Sequence, residues 1–263
     1  MAVARTAHAP SLLRPVLVVA PSVVTLEVLG HLPLSAAEEA RAARMVRAED
    51  AADFRAAHLL ARRALAHATG TEDGRLVPVQ ECAGCGGPHG RPHVPGRPDL
   101  HVAWAHTRGT VAAVVAAVPC GVDVERTTGR PVPPRVVDRT LTAHEAAIVR
   151  SSSRPELAFL EAWGVKESLV KAGEGDLATQ HGRTVVGPLG LRKPGETDRT
   201  TTRIRVRTGP TRLLDALVRV DHDPGVSTVS LLVGSDTAPE RVDLTTGTPT
   251  TSHLTTPEPT AYP

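Results

Sequence analysis

The chain opens its hydrophobic pattern with two β-branched runs, Val16–Val19 and Val23–Val28, separated by Pro21, and these predict two strands. Ser35 followed by Glu38 is a capping box, in which each residue satisfies a backbone donor of the other's turn, and it opens an alanine-rich helix to about Arg47. A second helix is predicted over Ala51–Ala68 and ends at Gly70. The segment 70–98, dense in Gly, Pro, Cys and His, reads as loop. Leu100–Trp104 and Thr110–Val118 predict strands with His106 on their connection, and Gly121–Glu125 alternates apolar and acidic residues like a strand at a sheet edge.

The pattern then turns helical again. Thr142 with Glu145 is a second capping box, and Pro155 sits where a first-turn proline belongs, opening a helix that reaches about Ala172 before Gly173 and Gly175. Arg203–Arg207, Leu213–Val220 and Thr228–Val233 predict strands. Strands and helices thus succeed one another once before Pro119 and once after it, which predicts an α+β fold of two similar halves, 16–118 and 119–235. Residues 1–15 carry little pattern and predict a flexible N-terminus, while 236–263 are Thr- and Pro-rich with little to bury and predict a disordered tail.

Composition narrows the function classes. At 263 residues the chain is long enough to bury a core without disulfides or a structural metal, and three cysteines do not make a disulfide framework. Its aromatics are only Phe54, Trp104, Phe159, Trp163 and Tyr262, too few for stacking-based recognition of single-stranded nucleic acid. A net charge of +2 offers no polyelectrolyte attraction, so no nucleic-acid partner is expected. The apolar runs are far shorter than a spanning helix, and prolines break the first twenty residues, so no membrane association is expected and a cytoplasmic protein is.

Asp123 and Glu125, two apart on a predicted strand, leave one face while Val122 and Val124 take the other. Paired carboxylates suit a hard divalent cation, and equally the acidic solvent face of a half-buried strand. On the helix opened by Pro155, Trp163, Glu167 and Lys171 recur every four residues along one stripe flanked by Phe159 and Val170, an arrangement that also makes an ordinary surface ion pair. Lysine is rare here, three of 30 basic residues, yet two fall at Lys166 and Lys171, where a point-like ammonium suits a phosphate better than a planar guanidinium does. Cys82, Cys85 and His89 resemble part of a zinc site that Cys120 or His93 would have to complete, or are simply loop residues.

Gly121-Val122-Asp123-Val124-Glu125, followed some forty residues on by Trp163-Gly164-Val165-Lys166-Glu167-Ser168-Leu169-Val170-Lys171, resembles the paired signature of the Sfp-type 4'-phosphopantetheinyl transferase superfamily. His89-Gly90-Arg91-Pro92 and Trp104-Ala105-His106-Thr107 fall where that family carries two further short elements. The resemblance implies a monomeric pseudo-dimer of two α/β halves with coenzyme A in the cleft between them. It also implies a holo-acyl-carrier-protein synthase type of enzyme, which moves the phosphopantetheine arm of CoA onto a serine of an acyl or peptidyl carrier protein and releases adenosine 3',5'-bisphosphate.

By the same resemblance Asp123 and Glu125 hold Mg²⁺, Glu167 either completes the metal shell or serves as the base, and Lys171 either binds the α-phosphate or stabilises the leaving phosphate. Arg47, Arg91 and His106 become CoA-binding candidates, with Arg55 and Arg62 as further cations. Ala105 stands where a serine is usual and His58 where an arginine is, both at a cost to CoA affinity. The alternative from another class is a non-catalytic CoA or carrier-protein binding module on the same fold, disfavoured because all four of Asp123, Glu125, Glu167 and Lys171 are present. A small interaction protein organised around Cys82 and Cys85 would leave both motifs unexplained.

Overall fold

The computed structural model describes residues 14–82, 84–182, 185–186, 199–207 and 213–245. In chain order the first half runs β1 (Val16–Pro21), α1 (Ser22–Leu29), α2 (Ala36–Ala42), α3 (Ala48–Thr69), the two-residue strands β2 (Val79–Gln80) and β3 (Pro92–His93), then β4 (His101–Thr107) and β5 (Thr110–Ala116). The second half follows as β6 (Cys120–Arg126), α4 (Pro134–Thr140), α5 (Ala143–Ser151), α6 (Pro155–Lys171), α7 (Leu177–His181), β7 (Val185–Val186), β8 (Arg199–Arg207), β9 (Leu213–Asp223) and β10 (Val226–Val233). A last strand, β11 (Glu240–Val242), returns to the first half. The architecture is mixed helix and sheet, as the pattern predicts. Among the described residues no helix is long and apolar enough to cross a membrane.

Two sheets form the centre, one ordered β11-β1-β5-β4 and the other β6-β10-β9-β8-β7. Strict alternation along the central strands lets each sheet bury both faces. On β1 and β5, Val16, Val18, Val111, Ala113 and Val115 pack on α3, whereas Leu17, Ala112, Val114 and Ala116 face the second sheet. β6 answers with Cys120, Val122 and Val124 on that inner face. Beyond the second sheet, Val165 and Leu169 of α6 and Ala172 just past its end cover β8, β9 and β10. The opposite side of α6 packs Phe159 and Ala162 on α4 and α5 through Val137, Ala146 and Val149. The order of layers is therefore helix, sheet, sheet, helix.

Both capping boxes form as read: Ser35 with Glu38 opens α2, and Thr142 with Glu145 opens α5. Pro155 occupies the first turn of α6. Four expectations are corrected. Val23–Val28 is helical, because its buried positions Ser22, Thr25 and Leu29 follow a helical spacing against α3, and tertiary packing overrides the β preference of valine. The helix opened by Ser35 stops at Ala42, short of Arg47. His106 is a residue of β4 itself, paired with Val111, and not of the β4–β5 turn.

The fourth correction concerns the tail. Residues 236–245 are structured: β11 pairs parallel to β1, with Leu17 opposite Arg241, and Val242 and Leu244 join the core under α3. Arg241 reaches across to Asp223 of β9 at 2.6 Å, so this strand also ties the two sheets together. The rest of the expected tail, 246–263, and residues 1–13 of the expected flexible N-terminus lie outside the described residues.

Candidate functional site

The site grows from one helix crossing one strand. β6 turns Val122 and Val124 inward, so Gly121, Asp123 and Glu125 face α6. The crossing is so close that a Cβ on Gly121 would sit 1.9 Å from the Ser168 carbonyl oxygen. On the helix side a Cβ on Gly164 would meet Val229 Cγ2 at 2.7 Å. Ser168 then donates its hydroxyl to the Val229 carbonyl at 3.2 Å, pinning α6 on β10. At Gly121 the facing backbone, and at Gly164 the Val229 side chain, leaves no room for a Cβ.

That approach sets the distances of the polar groups. Lys171 Nζ donates to Asp123 Oδ1 at 2.9 Å, and Trp163 Nε1 donates to Glu125 Oε1 at 3.2 Å. Trp163, Glu167 and Lys171 form the half-exposed stripe of α6, while the rest of the helix is mostly buried. The acidic solvent face is thereby overturned as an account of β6: Asp123 is buried beneath α6, and Glu125 sits under the Trp163 indole. Asp123 Oδ2 is buried with no hydrogen-bond partner, an expensive state for a carboxylate oxygen.

The electrostatics agree. Burial pushes the Glu125 carboxyl above its usual range, and Asp123 and Glu167 push it further, against the opposing Trp163 hydrogen bond and Lys171 charge. Glu167 is likewise raised, by burial and by Asp123, with Lys171 opposing. Three carboxylates therefore repel one another around a single ammonium. Their ligand atoms do not all lie within 4.8 Å of one another. An orphaned buried oxygen and unrelieved carboxylate repulsion are what a hard cation would relieve, so the donor set fits Mg²⁺.

His106 and Lys171 approach from opposite halves. The His106 imidazole lies on the rim, pushed below its ordinary value by partial desolvation, with Asp53 opposing and Lys171 reinforcing. Asp53, near the start of α3, accepts from the Gly109 N–H, which fixes that helix end beside the β4–β5 turn. Arg91 reaches the far end of α6: its guanidinium lies against Gly173, where a Cβ would be 2.6 Å from Nη1, and it contacts His101 Nδ1 at 2.8 Å. Arg47 is exposed at the N-cap of α3 and is not brought to the carboxylates.

Several cations and neighbours read from sequence take other places. Lys166 is fully buried on the opposite side of α6, held by Glu145 at 3.1 Å and by the Gln180 carbonyl at 2.8 Å, so it is a core ion pair and not a phosphate ligand. Arg62 is buried against Glu38 at 2.6 Å and the His58 carbonyl at 2.8 Å, and Arg55 pairs with Glu39 at 2.6 Å. His58 bonds Glu38 at 2.7 Å and packs between Phe54 and Trp104, so it belongs to the core rather than to a phosphate site. Ala105 faces the inter-sheet core, where a serine hydroxyl would meet apolar side chains and not the cleft.

One residue escaped the sequence reading. Arg41 lies over the Phe54 ring at 5.2 Å, donates to the Pro88 carbonyl at 3.2 Å, and helps line a small cleft of about 90 Å³ with Ser35, Glu38, His58 and Gln80. With 27 arginines in the chain, only the fold could single it out.

A family model described as the 4'-phosphopantetheinyl transferase superfamily matches residues 119–216, from the residue before β6 into β9. The match contains Asp123, Glu125, Trp163, Glu167 and Lys171, the whole of the helix-on-strand crossing, and it begins at the boundary between the two halves. Arg47, Arg91 and His106 precede it. No curated protein matches the chain.

Proposed function

We propose that the protein is a Mg²⁺-dependent 4'-phosphopantetheinyl transferase of the holo-acyl-carrier-protein synthase type, acting on coenzyme A and the serine of an acyl or peptidyl carrier protein. In this reading the two halves form a pseudo-dimer, and the cleft bounded by β4, β6 and α6 receives CoA. One observation carries the proposal: Asp123, Glu125, Glu167 and Lys171 converge where α6 crosses β6, with one Asp123 oxygen buried and unpartnered.

Asp123, Glu125 and Glu167 would hold the ion, and when bound it supplies charge neutralisation for the CoA pyrophosphate oxygens. The serine oxygen attacks the phosphorus that bears the pantetheine arm. The bridging bond to the adenosine-side phosphate breaks, and adenosine 3',5'-bisphosphate leaves. Glu167, whose carboxyl burial raises above its usual range, would take the serine proton. Lys171 offers its ammonium to the leaving phosphate, exchanging part of its bond to Asp123 for it. His106 and Arg91 extend the positive lining toward the rest of CoA.

The deciding assay incubates the protein with CoA, Mg²⁺ and several apo carrier proteins and reads the mass of each carrier. A phosphopantetheine-sized increase is expected, and Glu167→Gln should abolish it while CoA binding persists. No increase on any carrier, from a folded sample, overturns the reading. CoA binding without transfer would instead favour the binding module.

A further inference from the structure

Cys82, Cys85 and His89 lie outside the site described above and play no part in the proposed transfer. We infer that these three side chains form a second, thiophilic metal site, occupied by Zn²⁺ with one coordination position left to solvent. Their ligand atoms all lie within 4.8 Å of one another, the sole such trio of His, Cys, Asp or Glu among the described residues. Cys85 Sγ and His89 Nε2 are 3.0 Å apart. A tetrahedral ion with Zn–S bonds of about 2.3 Å needs ligand atoms about 3.8 Å apart, so the trio is gathered to within a small adjustment of that geometry.

The backbone is shaped to gather them. Gly86 N–H donates to the Cys82 carbonyl at 2.7 Å, and Cys82 N–H donates to Gly87 at 3.0 Å, closing a tight turn about the first sulfur. Gly87 leaves open the space between the ligands: a Cβ there would lie 3.1 Å from His89 Cδ2 and 3.3 Å from Cys85 Sγ. A disulfide between Cys82 and Cys85 would leave both that space and the placement of His89 without a purpose.

Cys120 cannot be the fourth ligand, because it is buried in the inter-sheet core with its thiol toward the Val114 carbonyl. Cys85 and His89 are exposed, so the open position faces water. Two thiolates and a neutral imidazole around a divalent ion sum to no net charge, with both thiol protons released on binding.

The ion would stiffen a segment that matters elsewhere. Gly90, at φ 104°, packs its Cα side against Glu81 and Cys82, its carbonyl accepts from Gln80 Nε2 at 2.8 Å, and Arg91 follows directly. Metal in the turn would therefore anchor the chain leading into Arg91.

The test uses the full-length protein, reduced and stripped with a chelator, then titrated with Zn²⁺ against a competing chromogenic chelator. Uptake of about one ion per chain is expected, and Co²⁺ in its place should show thiolate-to-metal charge transfer with the intense visible bands of four-coordination. Cys82→Ser/Cys85→Ser and His89→Ala should lose this binding, and Gly87→Ala should weaken it, with far-ultraviolet circular dichroism confirming that each variant is folded. No uptake by the reduced wild type, or uptake unchanged in Cys82→Ser/Cys85→Ser, overturns the inference. Neither result depends on whether the protein transfers phosphopantetheine.

Discussion

Gly121→Ala is the smallest change that should separate the halves of the proposed catalytic set. The added methyl would lie 1.9 Å from the Ser168 carbonyl oxygen, 2.6 Å from its carbon and 2.8 Å from its Cα. These are backbone atoms of a helix interior, with no rotamer to turn aside. Ordinary carbon–oxygen contact is about 3.4 Å, so α6 must lift from β6 by about 1.5 Å or the strand must bow by as much. Overpacking of this kind costs about 1–3 kcal/mol.

The larger effect should be on chemistry. The Lys171–Asp123 contact, now 2.9 Å, and the Trp163–Glu125 contact, now 3.2 Å, both span this crossing. Misplacing reacting groups by about 1 Å can cost about 100-fold in rate, so transfer to carrier protein should fall by at least about that factor. Gly164→Ala supplies the comparison, because its methyl meets the Val229 side chain, Cγ2 at 2.7 Å and Cβ at 2.9 Å, rather than helix backbone at 1.9 Å, and should be milder in both respects. The measurement is a carrier-loading time course beside urea unfolding of wild type, Gly121→Ala and Gly164→Ala. Near-wild-type loading and stability in Gly121→Ala would refute the claim that this crossing sets the geometry of the site.

Further outcomes are expected. Lys171→Ala should lower transfer by about 100-fold or more, the scale for losing one group that stabilises developing charge, with the fold retained because Lys171 is partly exposed; undiminished turnover in the loading assay would remove it from the site. Lys166→Met should act on stability, since it removes the buried ammonium paired with Glu145, at about 3–5 kcal/mol on urea unfolding, while transfer activity of the folded fraction is retained; an unchanged urea midpoint would refute it. Burial alone would raise the Glu38 carboxyl, but hydrogen bonds from His58, Arg62 and the Ser35 N–H overcome it and lower the value from 4.5 to about 2. The stabilisation from this lowered value, about 3 kcal/mol, is therefore present above pH 4.5 and is lost as pH falls toward 2; Glu38→Gln should flatten that part of the stability profile and destabilise the protein at neutral pH. Truncation after Pro239 removes the buried Val242 and Leu244, at about 1.5–3 kcal/mol for each side chain, and should lower the urea midpoint.

What the sequence made legible was local or periodic. Capping boxes, the first-turn proline of α6, the alternation along β6 and the four-residue stripe on α6 each depend on residues a few positions apart. Each was correct because local geometry alone decides which face such residues share. Val23–Val28 failed because the packing of a helix on α3, a contact with no local signal, outweighs the propensity of valine. The strand at 240–242 failed for a related reason: three residues carry too little pattern, and their pairing with β1 joins the two ends of the described chain.

Charge was legible in type but not in place. Lys166 and Lys171 lie five residues apart on one helix, which turns them about 140° from each other, so one faces the core and the other the cleft. Rarity of lysine marked the helix, and its periodicity could have separated the pair, since only Lys171 continues the stripe of Trp163 and Glu167. Arg55 and Arg62 are the counterpart on α3: both sit on the helix nearest the rim, yet Glu39 and Glu38 of α2 claim them. A cation is available to a phosphate only when no carboxylate of its own fold already holds it in the core. Lys171 differs from Arg62 and Lys166 in being partly exposed while its partner, Asp123, keeps a second oxygen buried and unsatisfied. That imbalance, and not the presence of a positive charge, is what separates the site from the other ion pairs of the fold.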